Sequence, residues 1–335
     1  MAYNIRNKHL LAVANWSTED VRYLLKQSKL MKDEKYAGVN QKSYLAGKNI
    51  VVLMNKTSTR TRSAFEVAAF DLGMGVTFFG GTGQMGVKES IEDTAIVLGR
   101  MFDGIAFRGA GQEEVELLSE HAGVPVWNAL TDQWHPTQMF ADYLTVYENF
   151  GRTDVKLAFF GDARNNMGNS LMIMTAHMGG HFVAVAPKEL WPDESVVKKA
   201  QEIAKRTGAK IEMTDSVKKG AKDADVIYTD VWVSMGEPKE VWAERINLLK
   251  DYQVNNDVFK HTKEDAILLH CLPAFHDLNT DVARANENVA REAGLDITNG
   301  IEVSDSVFRS DRSKVMDQAE NRMHTIKAIM FEALK

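Results

Sequence analysis

Apolar runs of strand length alternate with stretches of helical period along almost the whole of this 335-residue chain, and that alternation restricts the fold more than any other feature. Early strand candidates are Ile50–Met54, Val76–Phe79, Gly104–Phe107 and Val124–Trp127. Between them lie helical patterns at Ser63–Leu72, Ser90–Met101 and Glu113–His121. A second series follows at Lys156–Phe160, His181–Val185, Lys210–Met213, Val226–Thr229 and Ala266–His270, again with helices between. Repeated strand–helix alternation requires crossover connections and therefore parallel sheets. Two series of similar size predict an α/β chain of two doubly wound parallel-sheet domains. The expected division is 1–150 plus 315–335, and 151–314. The helix Pro136–Asn149 followed by Gly151-Arg152 is the expected hinge, and the long final helix, Val315–Leu334, is expected to cross back to the first domain. An opening helix over Ser17–Met31 begins with a capping-box-like Ser17-x-x-Asp20.

Composition narrows the class. With 44% hydrophobic and 26% charged residues the chain is neither disordered nor a membrane protein. A net charge of -6 without any Lys/Arg-rich run gives no footing for nucleic acid. Cys271 is the single cysteine, so no internal disulfide forms, and the N-terminus shows no signal-like apolar region. A cytoplasmic protein is expected.

In open α/β sheets ligands bind beyond the carboxyl ends of the strands, which turns strand order into a filter on polar residues. Ser58-Thr59-Arg60-Thr61-Arg62 stands between the Ile50–Met54 strand and a helix. A helix N-terminus offers unpaired N–H groups and a positive dipole end, and hydroxyls and guanidinium groups add directional donors. Such a turn suits a phosphate or carboxylate. The P-loop glycines are missing, so a nucleoside triphosphate is not expected. Arg108 follows Gly104–Phe107, His135 follows Val124–Trp127 after a short loop, and Asp162 and Asn166 follow Lys156–Phe160. Asp230 follows Val226–Thr229, and Cys271 follows Ala266–His270.

Each of these has an ordinary structural explanation when taken alone. Ser58 is a common helix cap. His135-Pro136-Thr137-Gln138 is a normal helix start. A loop anchored by Trp232 accounts for Asp230 to Gly236, and Arg322 alone would pass for part of a solvated helix face. The turn from Gly161 to Ser170 lacks the G-x-G-x-x-G spacing, which argues against a nicotinamide oxidoreductase. A lone Cys271 with His270 and His276 nearby lacks the paired spacing of structural zinc, so no metal and no cofactor are expected.

Taken together, Ser58-Thr-Arg-Thr-Arg62, His135-Pro-Thr-Gln138, Asp230 with Ser234-Met235-Gly236, and His270-Cys-Leu-Pro273 resemble the carbamoyltransferase family, from about Ser17 to the C-terminus. The Ser234 loop is similar to that of its ornithine-using members rather than those using aspartate or putrescine. The resemblance implies transfer of the carbamoyl group of carbamoyl phosphate to the side-chain amine of L-ornithine, giving citrulline and phosphate, or the reverse reaction in arginine catabolism. It implies that the first domain binds carbamoyl phosphate and the second ornithine. Ser58, Thr59, Arg60, Thr61 and Arg62 would bind the phosphate end, and Arg108, His135 and Gln138 the carbamoyl end. Cys271, Leu272 and Arg322 would complete that site, with Arg108, His135 and Cys271 catalytic. Asn166, Asp230, Ser234 and Met235 would bind the ornithine head group. Gln84 would reach a neighbouring subunit, in a homotrimer or a multiple of trimers. The Leu272–Pro273 bond is cis in members of the family. Two departures stand out: Met54-Asn55 precedes Lys56 where many members have Phe-Glu, and Val87 stands where some have His.

Overall fold

A computed structural model describes residues 4–81, 83–233, 237 and 241–335. The chain divides into two compact units, 1–145 with 319–335, and 146–318.

The first unit is built on four parallel strands, β1 (Asn49–Met54), β2 (Gly75–Gly80), β3 (Gly104–Arg108) and β4 (Val126–Leu130), in the order β2-β1-β3-β4. Its helices are α1 (Thr18–Tyr36), α2 (Thr59–Leu72), α3 (Ile91–Met101) and α4 (Gln112–His121), and α5 (Pro136–Phe150) starts in this unit. β1 and β3 are buried on both faces, as their unbroken apolar runs require. Val51, Leu53, Ile105, Phe107 and Val126 pack with Ala95 and Leu98 of α3 and Val115 and Leu118 of α4. Burying one such side chain contributes about 1.5–3 kcal/mol.

The second unit carries β5 (Lys156–Phe160), β6 (His181–Val185), β7 (Lys210–Thr214), β8 (Val226–Thr229) and β9 (Ile267–His270), all parallel in the order β7-β6-β5-β8-β9. Its helices are α6 (Asn166–Met178), α7 (Glu194–Thr207), α8 (Val217–Ala221), α9 (Val241–Leu249), α10 (Asn256–Phe259), α11 (Asp281–Ala285), α12 (Glu287–Glu292) and α13 (Asp305–Phe308). The last helix, α14 (Val315–Leu334), begins in the second unit and belongs to the first from Ala319 onward. Among the described residues no helix is long and apolar enough to cross a membrane.

Three elements, α1, α2 and β4, differ from the periodicity by two residues or more at an end. α2 begins at Thr59, four residues before the apolar pattern, because the Ser58 hydroxyl caps it by accepting from the Thr61 amide at 3.2 Å. β4 begins at Val126 rather than Val124, since Pro125 has no N–H to give a ladder. α1 extends to Tyr36, well past its last apolar residue at Met31. Its final turns are held by polar contacts instead: Lys32 to Asn321 at 2.7 Å, Lys35 to Asp71 at 2.5 Å and Tyr36 to Glu320 at 2.5 Å.

Strand order explains where polar residues collect. In the first sheet the chain leaves β1 for β2 on one side and returns to β3 on the other; in the second it leaves β5 for β6 and returns to β8. At such a switch point the two connections diverge and open a crevice at the carboxyl ends. Ser58 follows β1 and Arg108 ends β3. Asp162 follows β5 and Asp230 follows β8.

Candidate active site

In the first unit, Thr61, Arg108, His135, Gln138 and Arg322 are each at most 5% exposed. A register shift between Phe107 and Arg108 displaces the end of β3 against β4, the kind of irregularity that re-aims a side chain. The Arg108 guanidinium donates through Nε to the Lys56 carbonyl at 3.1 Å, and Lys56 pairs with Asp132 at 2.5 Å. Arg322, on α14, donates to Gln138 Oε1 at 2.7 Å and to Thr61 Oγ1 at 3.3 Å. Gln138 in turn donates to Asp142 Oδ1 at 2.7 Å, one helical turn along α5. That bond assigns the amide orientation, with oxygen to the guanidinium and nitrogen to the carboxylate.

His135 immediately precedes Pro136, which opens α5. Burial, then the positive charges of Arg322, Arg108 and Arg60, hold its pKa well below the ordinary histidine range. The imidazole is therefore neutral at physiological pH, a hydrogen-bond donor without a charge. Thr59 is exposed and Arg60 half-buried at the start of α2. Arg62 stands apart from this set. It is exposed, pairs with Glu66 at 2.8 Å, and stacks on Phe78 at 4.0 Å. Gln84 is exposed, and its carbonyl accepts from Val87, Lys88 and Glu89.

In the second unit, Asp230 follows β8 and Cys271 follows β9. The Cys271 thiol donates to Asp230 Oδ1 at 3.1 Å, and the Val231 amide donates to the same oxygen at 2.8 Å. Burial raises the Asp230 pKa, and the nearby His270 partly offsets that. Asn165 caps α6 by accepting from the Gly168 amide at 2.8 Å, while its own amide reaches Asp230 Oδ2 at 3.4 Å. Asn166, next along, is the first residue of the helix. Gly161, at φ +123°, lies against the Trp232 indole, close enough that an added Cβ would sit 3.6 Å from the ring. Leu272 has φ +59°, and the Leu272–Pro273 bond is cis. Ser234 and Met235 lie outside the described residues.

Asp230, His270 and Cys271 offer possible ligand atoms within 4.8 Å of one another, as do His276, Asp277 and Asp305. Both groups are internally engaged. Cys271 donates to Asp230, the Leu272 amide occupies His270 Nδ1 at 2.9 Å, and His276 pairs with Asp305 at 2.6 Å while stacking on Phe308. A cation would have to displace these contacts.

Residues 8–148 match the carbamoyl-phosphate-binding domain of aspartate/ornithine carbamoyltransferases, and residues 153–332 match the aspartate/ornithine-binding domain. The chain belongs to the aspartate/ornithine carbamoyltransferase family. It is 54% identical to a catabolic ornithine carbamoyltransferase of Treponema denticola, over 99% of this chain and 97% of that one. The ornithine carbamoyltransferase of Pyrococcus furiosus superposes with a TM-score of 0.88 at 37% identity, over 99% of both chains. That of Gloeobacter violaceus gives 0.82 at 34%, over 99% of this chain and all of the other. The sequence motifs omit Asp142, Asn165 and Glu302, which contact Gln138, Asp230 and the Phe275 amide. The i,i+4 spacing of Gln138 and Asp142 is a readable signal. Glu302 has none, because its partner lies 27 residues away.

Proposed function

We propose that the chain transfers the carbamoyl group of carbamoyl phosphate to the side-chain amine of L-ornithine, giving citrulline and phosphate, and that the reaction also runs in reverse. The reading is carried by one observation above others: a neutral, buried His135 among Arg60, Arg108 and Arg322. Such a group can polarise a carbonyl beside a bound anion without adding a fourth cation.

Residues 1–150 with 315–335 carry the carbamoyl phosphate half of the reaction and 151–314 the ornithine half, an assignment supported by the compact units. The phosphate sits at the N-terminus of α2, against Ser58, Thr59, Thr61 and Arg60. The carbamoyl oxygen takes donors from Arg108, His135 and Thr61, with Gln138 and Arg322 completing the set. As the amine attacks, a C–N bond forms and the C–O bond to phosphate breaks. Negative charge on the carbamoyl oxygen meets fixed donors, each worth about 2.7–4 kcal/mol in such holes. The amine must be neutral to attack, yet an alkylammonium has a pKa of about 10.4. The leaving phosphate takes its proton. Asp230 pairs with the α-ammonium, with Asn166, Ser234 and Met235 completing the head-group site. Cys271 and the Leu272 carbonyl orient the reacting amine, and no covalent enzyme intermediate forms.

A homotrimer, or a multiple of trimers, suits the surface of the first unit. β2 is an edge strand, and Val67, Phe70, Phe79, Val97 and Met101 on α2, β2 and α3 are exposed apolar side chains. Gln84 then serves a neighbouring subunit's site. The cytoplasm suits a chain with one free cysteine.

Initial rates with ornithine, putrescine, lysine and aspartate as parallel acceptors test the function. Ornithine-selective turnover is expected. Putrescine selectivity would retain the carbamoyl phosphate half and overturn the role of Asp230. No turnover with any acceptor, in folded protein, would overturn both.

A further inference from the structure

Between β4 and α5 the chain has only residues 131–135 in which to turn and deliver an imidazole. The turn is closed from both ends. The Thr131 amide donates to the Trp134 carbonyl at 2.8 Å, and the Trp134 amide donates to the Thr131 hydroxyl at 3.1 Å. A Thr hydroxyl that takes a backbone amide three residues on fixes a local turn. His135 is the next residue, so the Thr131 side chain governs where the imidazole enters the site.

Thr131 is itself held. It is fully buried, and its hydroxyl donates to Gln112 Oε1 at 2.8 Å. Asn128, also fully buried, donates through Nδ2 to the same oxygen at 3.3 Å and to the Leu11 carbonyl at 2.9 Å. The Gln112 amide nitrogen donates to Glu116 Oε1 at 3.0 Å, which assigns the oxygen to Thr131 and Asn128. The Thr131 hydroxyl thus gives one bond and accepts one, in a buried setting where loss of a partner is costly.

Gln112 opens α4, so it reaches from the connection after β3 to the connection after β4. Two backbone bonds run the same way, from Gly109 to the Leu130 carbonyl and from Asp132 to the Ala110 carbonyl, each at 3.0 Å. Arg108 ends one of these strands and His135 follows the other. The two donors proposed for the carbamoyl oxygen therefore flank one hydrogen-bonded junction.

We infer that Thr131 and Gln112 are positioning residues for the reaction, which fix the imidazole of His135 relative to Arg108 through the Thr131–Trp134 turn. The inference rests on the role proposed above for His135. Neither side chain is given a substrate contact.

Thr131→Val keeps the shape of the side chain and removes both bonds of the hydroxyl, and Thr131→Ser restores them. A displacement of about 1 Å can cost about 10²-fold in rate, so Thr131→Val should lower kcat about 10–100-fold. Thr131→Ser should stay within about threefold of wild type. The phosphate end is assigned to the start of α2, which this junction does not include. The dissociation constant of inorganic phosphate, measured by calorimetry, should therefore stay within about threefold in both variants. An unchanged kcat in Thr131→Val, or a Thr131→Ser as slow as Thr131→Val, overturns the inference. A loss of phosphate affinity as large as the loss of kcat does the same.

A double-mutant cycle reads the coupling to His135. With His135→Ala there is no imidazole left to position, so adding Thr131→Val should lower kcat less than about twofold further. A further loss of about tenfold would place the effect of Thr131 elsewhere and overturn the inference. If Thr131→Val does not fold, Gln112→Met decides, because Gln112 is partly exposed at a helix start. It should lower kcat about 3–10-fold in the wild-type background and less than about twofold beside His135→Ala. An unchanged kcat, or the same loss in both backgrounds, sinks the inference. His135→Ala by itself separates the two levels of argument. Wild-type turnover in that variant removes the role proposed for His135. An impaired His135→Ala beside an unimpaired Thr131→Val removes the positioning role alone.

Discussion

The two units solve opposite electrostatic problems with the same sheet geometry. In the first, burial and then the positive charges of Arg322, Arg108 and Arg60 push the pKa of His135 down. In the second, burial pushes the pKa of Asp230 up, beside a second buried carboxylate at Glu302. On the proposed reading, cations gather where an anion is to be held, and carboxylates where an ammonium is to be held. The strand order is a parallel sheet with a switch point in both cases, so charge and not architecture separates the two sites.

The largest expected effect breaks the first unit's anion site. Arg60→Gly should weaken carbamoyl phosphate binding by about 10³-fold, the scale of truncating one partner of a desolvated charge pair, measured by calorimetry on the free enzyme. His135→Ala should lower kcat about 10²–10³-fold, as for loss of one oxyanion donor, with a much smaller change in carbamoyl phosphate affinity. Equal affinity losses in the two variants would collapse the distinction between anchoring and polarisation. Asp230→Asn should raise the ornithine KM about 10²-fold in steady-state kinetics and leave carbamoyl phosphate affinity unchanged, which is the sharpest test that the units divide the substrates.

A smaller effect concerns stability. His324 on α14 is buried, and burial, with Lys327 and Lys32 nearby, outweighs Glu320 to lower its pKa to about 4. The unfolded chain, with an ordinary histidine pKa of about 6.5, therefore binds more protons between those values. Stability should fall as pH drops from about 6.5 to about 4, by roughly 2–3 kcal/mol from this residue. His135, also lowered, acts with the same sign. Urea denaturation across that range should show the slope, and His324→Gln should flatten it. The smallest effect is expected at Arg62, which pairs with Glu66 on the exposed side of α2. Exposed pairs contribute about 0–1 kcal/mol, so Arg62→Gln should change kcat/KM by less than about threefold.

The fold was largely legible. Lys156–Phe160, His181–Val185, Val226–Thr229 and Val315–Leu334 have the same bounds in the sequence pattern and in the structure, because buried parallel strands and long helices leave unbroken apolar signals. The expected α/β class with two parallel sheets is the observed one. Boundaries shifted where polar chemistry overrode periodicity, at the Ser58 cap, at Pro125 and along the charged end of α1. The proposed site rests on motifs that the sequence shows directly, since Ser58–Arg62 and His135–Gln138 are each contiguous and follow strands.

What the sequence by itself determined is the set of elements and the residue types at their carboxyl ends. Local propensity and the short-range pattern of burial decide these, and both are written in neighbouring residues. Only the tertiary structure decided which of those residues work together. Arg322 reaches Gln138 across 184 positions, Glu302 reaches His270 across 32, and Arg62 turns outward to Glu66 although it shares a motif with Arg60. Charge interactions in a buried site depend on distance and desolvation rather than on order along the chain, and those are set only when the strands have stacked.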